Sequence, residues 1–140
     1  MERDPDTDEY LGPYPVAFQP KEGEKDLSVT WCEYFVGTPD EQLRCAIEAL
    51  RKSRDIRNSA CFCVATTPEI FGAITARDGT GRAVYLPVES NRAHAGILGI
   101  DRENALLLQL ISEEVWCEFL TKVQADALPK RDCAKSPNVK

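Results

Sequence analysis

The only histidine of the chain, His94, lies in the stretch NRAHAGILGI, residues 91–100. Imidazole is the side chain best suited to moving a proton near neutral pH. Ala93, Ala95 and Gly96 beside it are small, so a ligand or a backbone segment can approach closely. Ser28 and Glu33, in DLSVTWCEYF, supply a hydroxyl nucleophile and a carboxylate base. The helix expected to start at Asp101 would turn free N–H groups outward, which favours a phosphate-like anion. Ser28, Glu33 and His94 are therefore the candidate catalytic residues, and Trp31, Arg92, Gly96 and Asp101 the candidate binding residues. One reading is a hydrolase or transferase acting on a phosphate-containing small molecule, with His94 as acid/base.

Each of these residues also has a plainer explanation. A histidine ring that bonds a carbonyl closes a tight turn and does no chemistry. Ser28 falls inside an expected strand, without the Gly-x-Ser-x-Gly elbow of a nucleophilic serine. Glu33 shares a strand face with Trp31 and is expected to pair with an arginine such as Arg92. The two glycines of residues 77–84 lack the Gly-Lys-Ser/Thr ending of a phosphate loop, and this stretch reads as a turn. One histidine and no Cys-x-x-Cys make a poor zinc set, so neither metal nor cofactor is expected. The six cysteines, Cys32, Cys45, Cys61, Cys63, Cys117 and Cys133, are expected to be reduced and mostly buried.

The 140 positions around these residues fit one domain, large enough to hold a core without disulfides or a metal. The net charge of −6 and the absence of a basic face argue against a nucleic-acid partner. The densest basic stretch, LRKSRDIR, reads as a solvated helix end whose charges complement the helix dipole. No apolar run is long enough to span a bilayer, so no membrane partner is expected. The N-terminus is acidic and Pro-containing, unlike a secretory signal, and a cytoplasmic location is expected.

The elements that must position the candidate residues follow from periodicity and punctuation. Residues 1–25 form an irregular, Pro-rich acidic arm, with an edge strand near residues 16–18; residues 26–124 form the α/β domain; residues 125–140 form a flexible tail. LSVTWCEYFV reads as a strand with Leu27, Val29, Trp31, Glu33 and Phe35 on one face. GTPDEQLRCAIEALRKS is the clearest helix: Thr38 caps it, Pro39 suits its first turn and Glu41 completes a capping box. Leu43, Ala46, Ile47 and Leu50 form its apolar stripe, with Arg44 and Glu48 pairing on the polar side. SACFCVATT reads as a buried strand and TPEIFGAITARDG as a short helix capped by Thr67. Residues 81–88 read as a third strand, with Pro87 at its end or edge. IDRENALLLQLIS is the second main helix, capped by Asp101. EVWCEFLTKV alternates at Val115, Cys117 and Phe119 as a strand does, or continues the helix. Trp31 and Trp116 are core or interface anchors. The order predicts an α/β fold, with α+β as the alternative: a single-layer mixed sheet of about four strands carrying two main helices and one short one.

DLSVTWCEYF and SNRAHAGILG together resemble a family of short, uncharacterised bacterial proteins, over about residues 26–112. That family shows a Leu-Ser-Val-Asn-Trp-Leu-Glu strand, a capped helix, a strand, and later a His-(Ala/Ser)-Gly-Ile turn. Leu27, Ser28, Val29, Trp31 and Glu33 match the first motif, and His94, Gly96 and Ile97 the second. Thr30 stands where the pattern has Asn, and Cys32 where it has Leu. The resemblance implies no activity. The leading functional expectation is a small cytoplasmic protein that acts through protein–protein contact, an accessory, immunity or adaptor component of a bacterial multi-gene system. The acidic charge, the lack of a complete catalytic set and a Pro/Tyr-rich arm able to add to a sheet edge motivate it. A homo-oligomer is a further form of such contact. A ligand-binding regulatory domain without chemistry is the third reading.

Overall fold

Thr-x-x-Glu/Gln boxes set where three of the helices begin. The computed structural model of the chain describes residues 2–3, 5–6, 10–12, 15–56, 61–116, 119–137 and 139. Helix α1 is Pro39–Ser53. As expected, Thr38 Oγ1 accepts the Glu41 N–H at 3.3 Å and Glu41 Oε1 accepts the Thr38 N–H at 3.0 Å. Helix α2, Thr67–Ala76, is capped by Thr66 rather than Thr67. The reason is spacing: Glu69 must stand three positions after the cap, and only Thr66 satisfies that. Helix α3, Ala105–Leu110, is capped by Asn104, whose Oδ1 accepts the Leu107 N–H at 3.0 Å. Asp101 is therefore not its cap; its carboxylate accepts the Glu103 N–H at 2.9 Å in the turn before the helix. After α3 the chain widens into a π turn, Ile111–Val115, closed by the Trp116 N–H on the Ile111 carbonyl at 2.9 Å. Helix α4, Lys122–Asp126, begins at a Thr121/Gln124 box.

The strands are β1 (Glu2–Arg3), β2 (Tyr10–Gly12), β3 (Asp26–Thr30), β4 (Phe62–Cys63), β5 (Arg82–Tyr85), β6 (His94–Leu98) and β7 (Phe119–Leu120). The mixture of helices and small sheets is of the α/β kind. The strands are not gathered in one layer of about four. They divide into the pairs β1–β2 and β4–β7 and a three-stranded sheet of order β3–β6–β5. The long apolar run LSVTWCEYFV explains much of the difference. Its strand stops at Thr30, and Cys32–Tyr34 coil into a 3₁₀ turn, so Trp31, Glu33 and Phe35 do not share a strand face. Pro15–Phe18 is also a 3₁₀ turn and not an edge strand. The alternation expected through Cys117 lies outside the described residues.

Contacts divide the chain into two compact units, each assembled from three segments. The first comprises Met1–Ser28, Cys63–Val84 and Gly96–Phe119. Its core joins Ile70 and Ile74 of α2 to Leu107 and Leu108 of α3 and to Ile111, Val115 and Trp116. Phe18 stacks on Trp116 with ring centroids 4.8 Å apart, so part of the arm packs here as expected. Trp116 is thus a core anchor.

The second unit comprises Val29–Phe62, Tyr85–Ala95 and Leu120–Lys140. Helix α1 buries Cys45 and Ala46 with Phe35 and Ala93, and Ile47 with Phe62 and Ala125. Arg44 was expected on the polar side of α1. It pairs with Glu48 at 3.0 Å, as the spacing predicts, yet is only 6% exposed. Its Nη1 donates to the carbonyls of Ala125, Asp126 and Leu128 at 3.1, 2.7 and 3.3 Å, which satisfies the end of α4. Arg51 joins the two helices again, reaching Glu48 at 3.1 Å and Asp126 at 2.9 Å.

The C-terminal segment, expected as a flexible tail, is tied into this unit. The Val36 N–H donates to the Ala134 carbonyl at 3.0 Å, and the Ser136 N–H to the Tyr34 carbonyl at 2.7 Å. Cys45 and Cys133, 88 positions apart with Cα atoms 5.5 Å apart, form a disulfide. This overturns the expectation that all six cysteines are reduced. Closing so long a loop removes on the order of 4–5 kcal/mol of denatured-state entropy. Cys32, Cys61 and Cys63 are outside this bond.

Candidate functional site

His94 opens β6, with β5 as its sheet neighbour, and does not sit in a turn before a helix. Its ring is held by the main chain: Nδ1 lies 2.7 Å from the Leu86 carbonyl oxygen. The turn is made instead between Val88 and Asn91, whose N–H and carbonyl groups exchange two 3.1 Å bonds. Asn91 is the polar residue that fixes it. Buried, it accepts the Ala93 N–H through Oδ1 at 3.1 Å and donates through Nδ2 to Thr30 Oγ1 at 3.0 Å. Thr30 therefore works as an acceptor for the Asn91 side-chain amide.

Trp31 and Arg92 meet on the same face through Tyr85. The Trp31 ring stands edge-on to Tyr85 with centroids 5.9 Å apart, and Tyr34 lies 6.4 Å from Tyr85 on another side. The Tyr85 hydroxyl donates to the Arg92 carbonyl at 2.7 Å, and the Trp31 N–H to the Ala93 carbonyl at 2.9 Å. Trp31 is 37% exposed, Tyr85 40%, Leu86 40% and Val88 43%. Trp31 and Tyr85 thus meet ring to ring at the surface, and Leu86 and Val88, which alternate with Tyr85 along the same segment, are exposed as well. Exposed apolar groups are common singly; a pair of aromatic rings in contact at the surface is the informative case.

The remaining candidates have other placements. Glu33 is exposed on the 3₁₀ turn, and among the described residues no ion pair joins it to Arg92. Its negative charge acts on its neighbour: burial first, and then Glu33, push the Cys32 thiol up from its ordinary range. Ser28 is an exposed residue of β3 and belongs to the first unit, as do Gly96 and Asp101. Gly96 leaves no room for a ligand: a Cβ there would come within 2.5 Å of Asp26 Oδ2, so the glycine accommodates the aspartate. Asp101 closes its own turn.

Sequence reasoning missed Tyr85, Leu86, Val88 and Asn91. The signal for the first three was the apolar alternation of AVYLPV next to a strand-ending proline. Nothing local marks Asn91, since its partners come from Thr30 and from Ala93. Among the described residues no three His, Cys, Asp or Glu side chains converge to hold a metal ion. No described helix is long and apolar enough to cross a membrane. Comparisons with protein-family models, with curated proteins and with solved structures find no match to this chain.

Proposed function

We propose that this protein acts through protein–protein contact, as an accessory, immunity or adaptor component of a bacterial multi-gene system, and that the exposed side chains around the β5–β6 hairpin, Trp31 and Tyr85 foremost, make the contact. The exposed Trp31–Tyr85 ring pair carries this reading. Binding energy concentrates in Trp, Tyr and Arg side chains, and Trp31, Tyr85 and Arg92 are gathered here. The bond of the Tyr85 hydroxyl to the Arg92 carbonyl lowers the ordering cost of that side chain on association. The net charge of −6 favours encounter with a basic partner. The phosphotransfer and ligand-binding alternatives draw less support, because Gly96 is filled by Asp26 and the His94 ring is engaged by Leu86.

A photo-reactive residue at Leu86, introduced in the source cells, tests this. The expected result is a covalent adduct to one protein species or to a second copy of the chain. Tyr85→Ala should weaken the purified pair about 30-fold, the effect of losing a hot-spot side chain. Val88→Asp should abolish the adduct without moving the thermal midpoint. An adduct no stronger than that from a probe at exposed Glu113, together with a monomer in sedimentation, would overturn the proposal.

A further inference from the structure

The C-terminal strap reaches the second unit through main chain and sulfur. Residues 129–135 are all exposed. What holds them are the Val36–Ala134 and Tyr34–Ser136 main-chain bonds, a 3.9 Å ion pair of Arg131 with Glu41, and the Cys45–Cys133 disulfide. Farther on, Val139 is buried and anchors the end of the segment.

We propose that Cys45–Cys133 is a thiol–disulfide exchange site, opened by an external dithiol at the Cys133 sulfur, and that its opening frees the strap from the Tyr34–Val36 edge. The two cysteines are placed unequally. Cys133 is exposed, whereas Cys45 is 1% exposed on the inner face of α1. An attacking thiolate must approach along the S–S axis, and Cys133, with the Arg131 carbonyl oxygen 3.4 Å from its sulfur, is the exposed end of the bond. The dithiol's thiolate bonds to Cys133 Sγ, the bond to Cys45 breaks, and Cys45 leaves as a thiolate and takes a proton. The dithiol's second thiolate then attacks the mixed disulfide and releases Cys133. The dithiol loses two electrons and two protons and becomes a disulfide; the protein gains both as two thiols.

The packing keeps the consequence local. A reduced Cys45 remains among Phe35, Ala46 and Ala93 as a small apolar side chain, so α1 keeps its core. Around Cys133 the strap then keeps the two main-chain bonds and the Arg131–Glu41 ion pair, which is worth little, with its next anchor at buried Val139. Cys32 packs against the same cluster but does not compete for Cys45: it is held as the protonated thiol, and thiolates are the attacking species.

The experiment uses the full chain and needs no partner, so it is independent of the contact face proposed above. Protein is incubated with graded dithiothreitol at neutral pH, trapped with N-ethylmaleimide, mapped by mass spectrometry and followed by amide hydrogen exchange. Cys45 and Cys133 should become labelled together without denaturant. Exchange at the Val36 and Ser136 amides should accelerate at least tenfold, while Ile47 within α1 stays protected. Cys133→Ser should show the same pattern without dithiol. Three results would each overturn the proposal: labelling that requires urea, unchanged exchange at Val36 and Ser136 after reduction, or loss of Ile47 protection together with theirs. The last would make the disulfide a staple for the whole unit.

Discussion

Leu86 and His94 hold each other twice: the Leu86 N–H donates to the His94 carbonyl oxygen at 3.0 Å, and the His94 ring lies with Nδ1 2.7 Å from the Leu86 carbonyl oxygen. A carbonyl can only accept, so Nδ1 carries the proton and the neutral ring leaves Nε2 bare. Ring ¹⁵N spectra of the neutral imidazole should show the Nδ1–H tautomer. His94→Ala should cost about 1 kcal/mol in urea unfolding, the worth of one such bond. A dominant Nε2–H tautomer would contradict the assignment.

Arg44 ties α1 to the C-terminal end of α4 through three main-chain carbonyls. Arg44→Met keeps the stem but removes the side-chain donor from the Asp126 and Leu128 carbonyls and leaves that of Ala125 to the Leu128 N–H. The expected loss is about 1–3 kcal/mol, since part-buried acceptors lose a charged partner. Arg44→Lys should recover only part, because one ammonium cannot reproduce the planar fork. Equal stability of Arg44→Met and the parent in denaturant titrations would refute this role.

Acid should weaken the protein through two surface carboxylates. The Thr38 main-chain N–H, and then the Thr38 side chain, hold Glu41 below its ordinary range. Lys122, and then Arg51, do the same for Asp126. Both groups ionise more readily folded than unfolded. Their stabilisation is therefore complete above the unfolded carboxylate pKa of about 4 and fades as pH falls through the lower folded values. In Glu41→Gln and Asp126→Asn the stability profile should be flatter below pH 5. Added salt should erode the Asp126 contribution more than the Glu41 one, because the first is made of exposed ion pairs. A wild-type profile superimposable on those of both variants below pH 5 would sink the claim.

Gly99, at the end of β6, has φ +100°, and a Cβ there would collide with the Thr80 carbonyl. Gly99→Ala should destabilise by roughly 1–3 kcal/mol through backbone strain and that collision. Gly72→Ala is the control: it lies within α2 with open space at its Cβ, and should be neutral or mildly stabilising. Thermal midpoints of the two variants that move together would rule this account out.

What was readable beforehand was local. The α1 cap, its apolar stripe and the Arg44–Glu48 pair all depend on neighbours within a turn or two, and all are present. The α2 cap and α4 were equally readable, since Thr66/Glu69 and Thr121/Gln124 carry the same spacing as Thr38/Glu41. Asp101 misled because an aspartate closing a turn and one capping a helix look alike in sequence. The apolar run through Trp31 and Phe35 carried strand propensity that the following 3₁₀ turn overrode. The burial of Arg44, the role of Asn91 and the Cys45–Cys133 pairing were not legible, because each partner is fixed only by the folded chain. Of the candidate site residues, Trp31, Arg92 and His94 gather around the β5–β6 turn. Ser28, Gly96 and Asp101 belong to the first unit, and Glu33 is exposed on the 3₁₀ turn.

The pairing of α1 with residues 125–133 also has a consequence for synthesis. Arg44 waits 81 positions for the Ala125 carbonyl, and Cys45 waits 88 for Cys133. At ordinary translation speeds that is roughly 4–18 s in which a nascent α1 displays a guanidinium matched only by Glu48 and a bare thiol. The second unit therefore completes its packing only after residues 125–133 have been made. A stalled or truncated product lacking α4 would be recognisable to quality control by that exposed face.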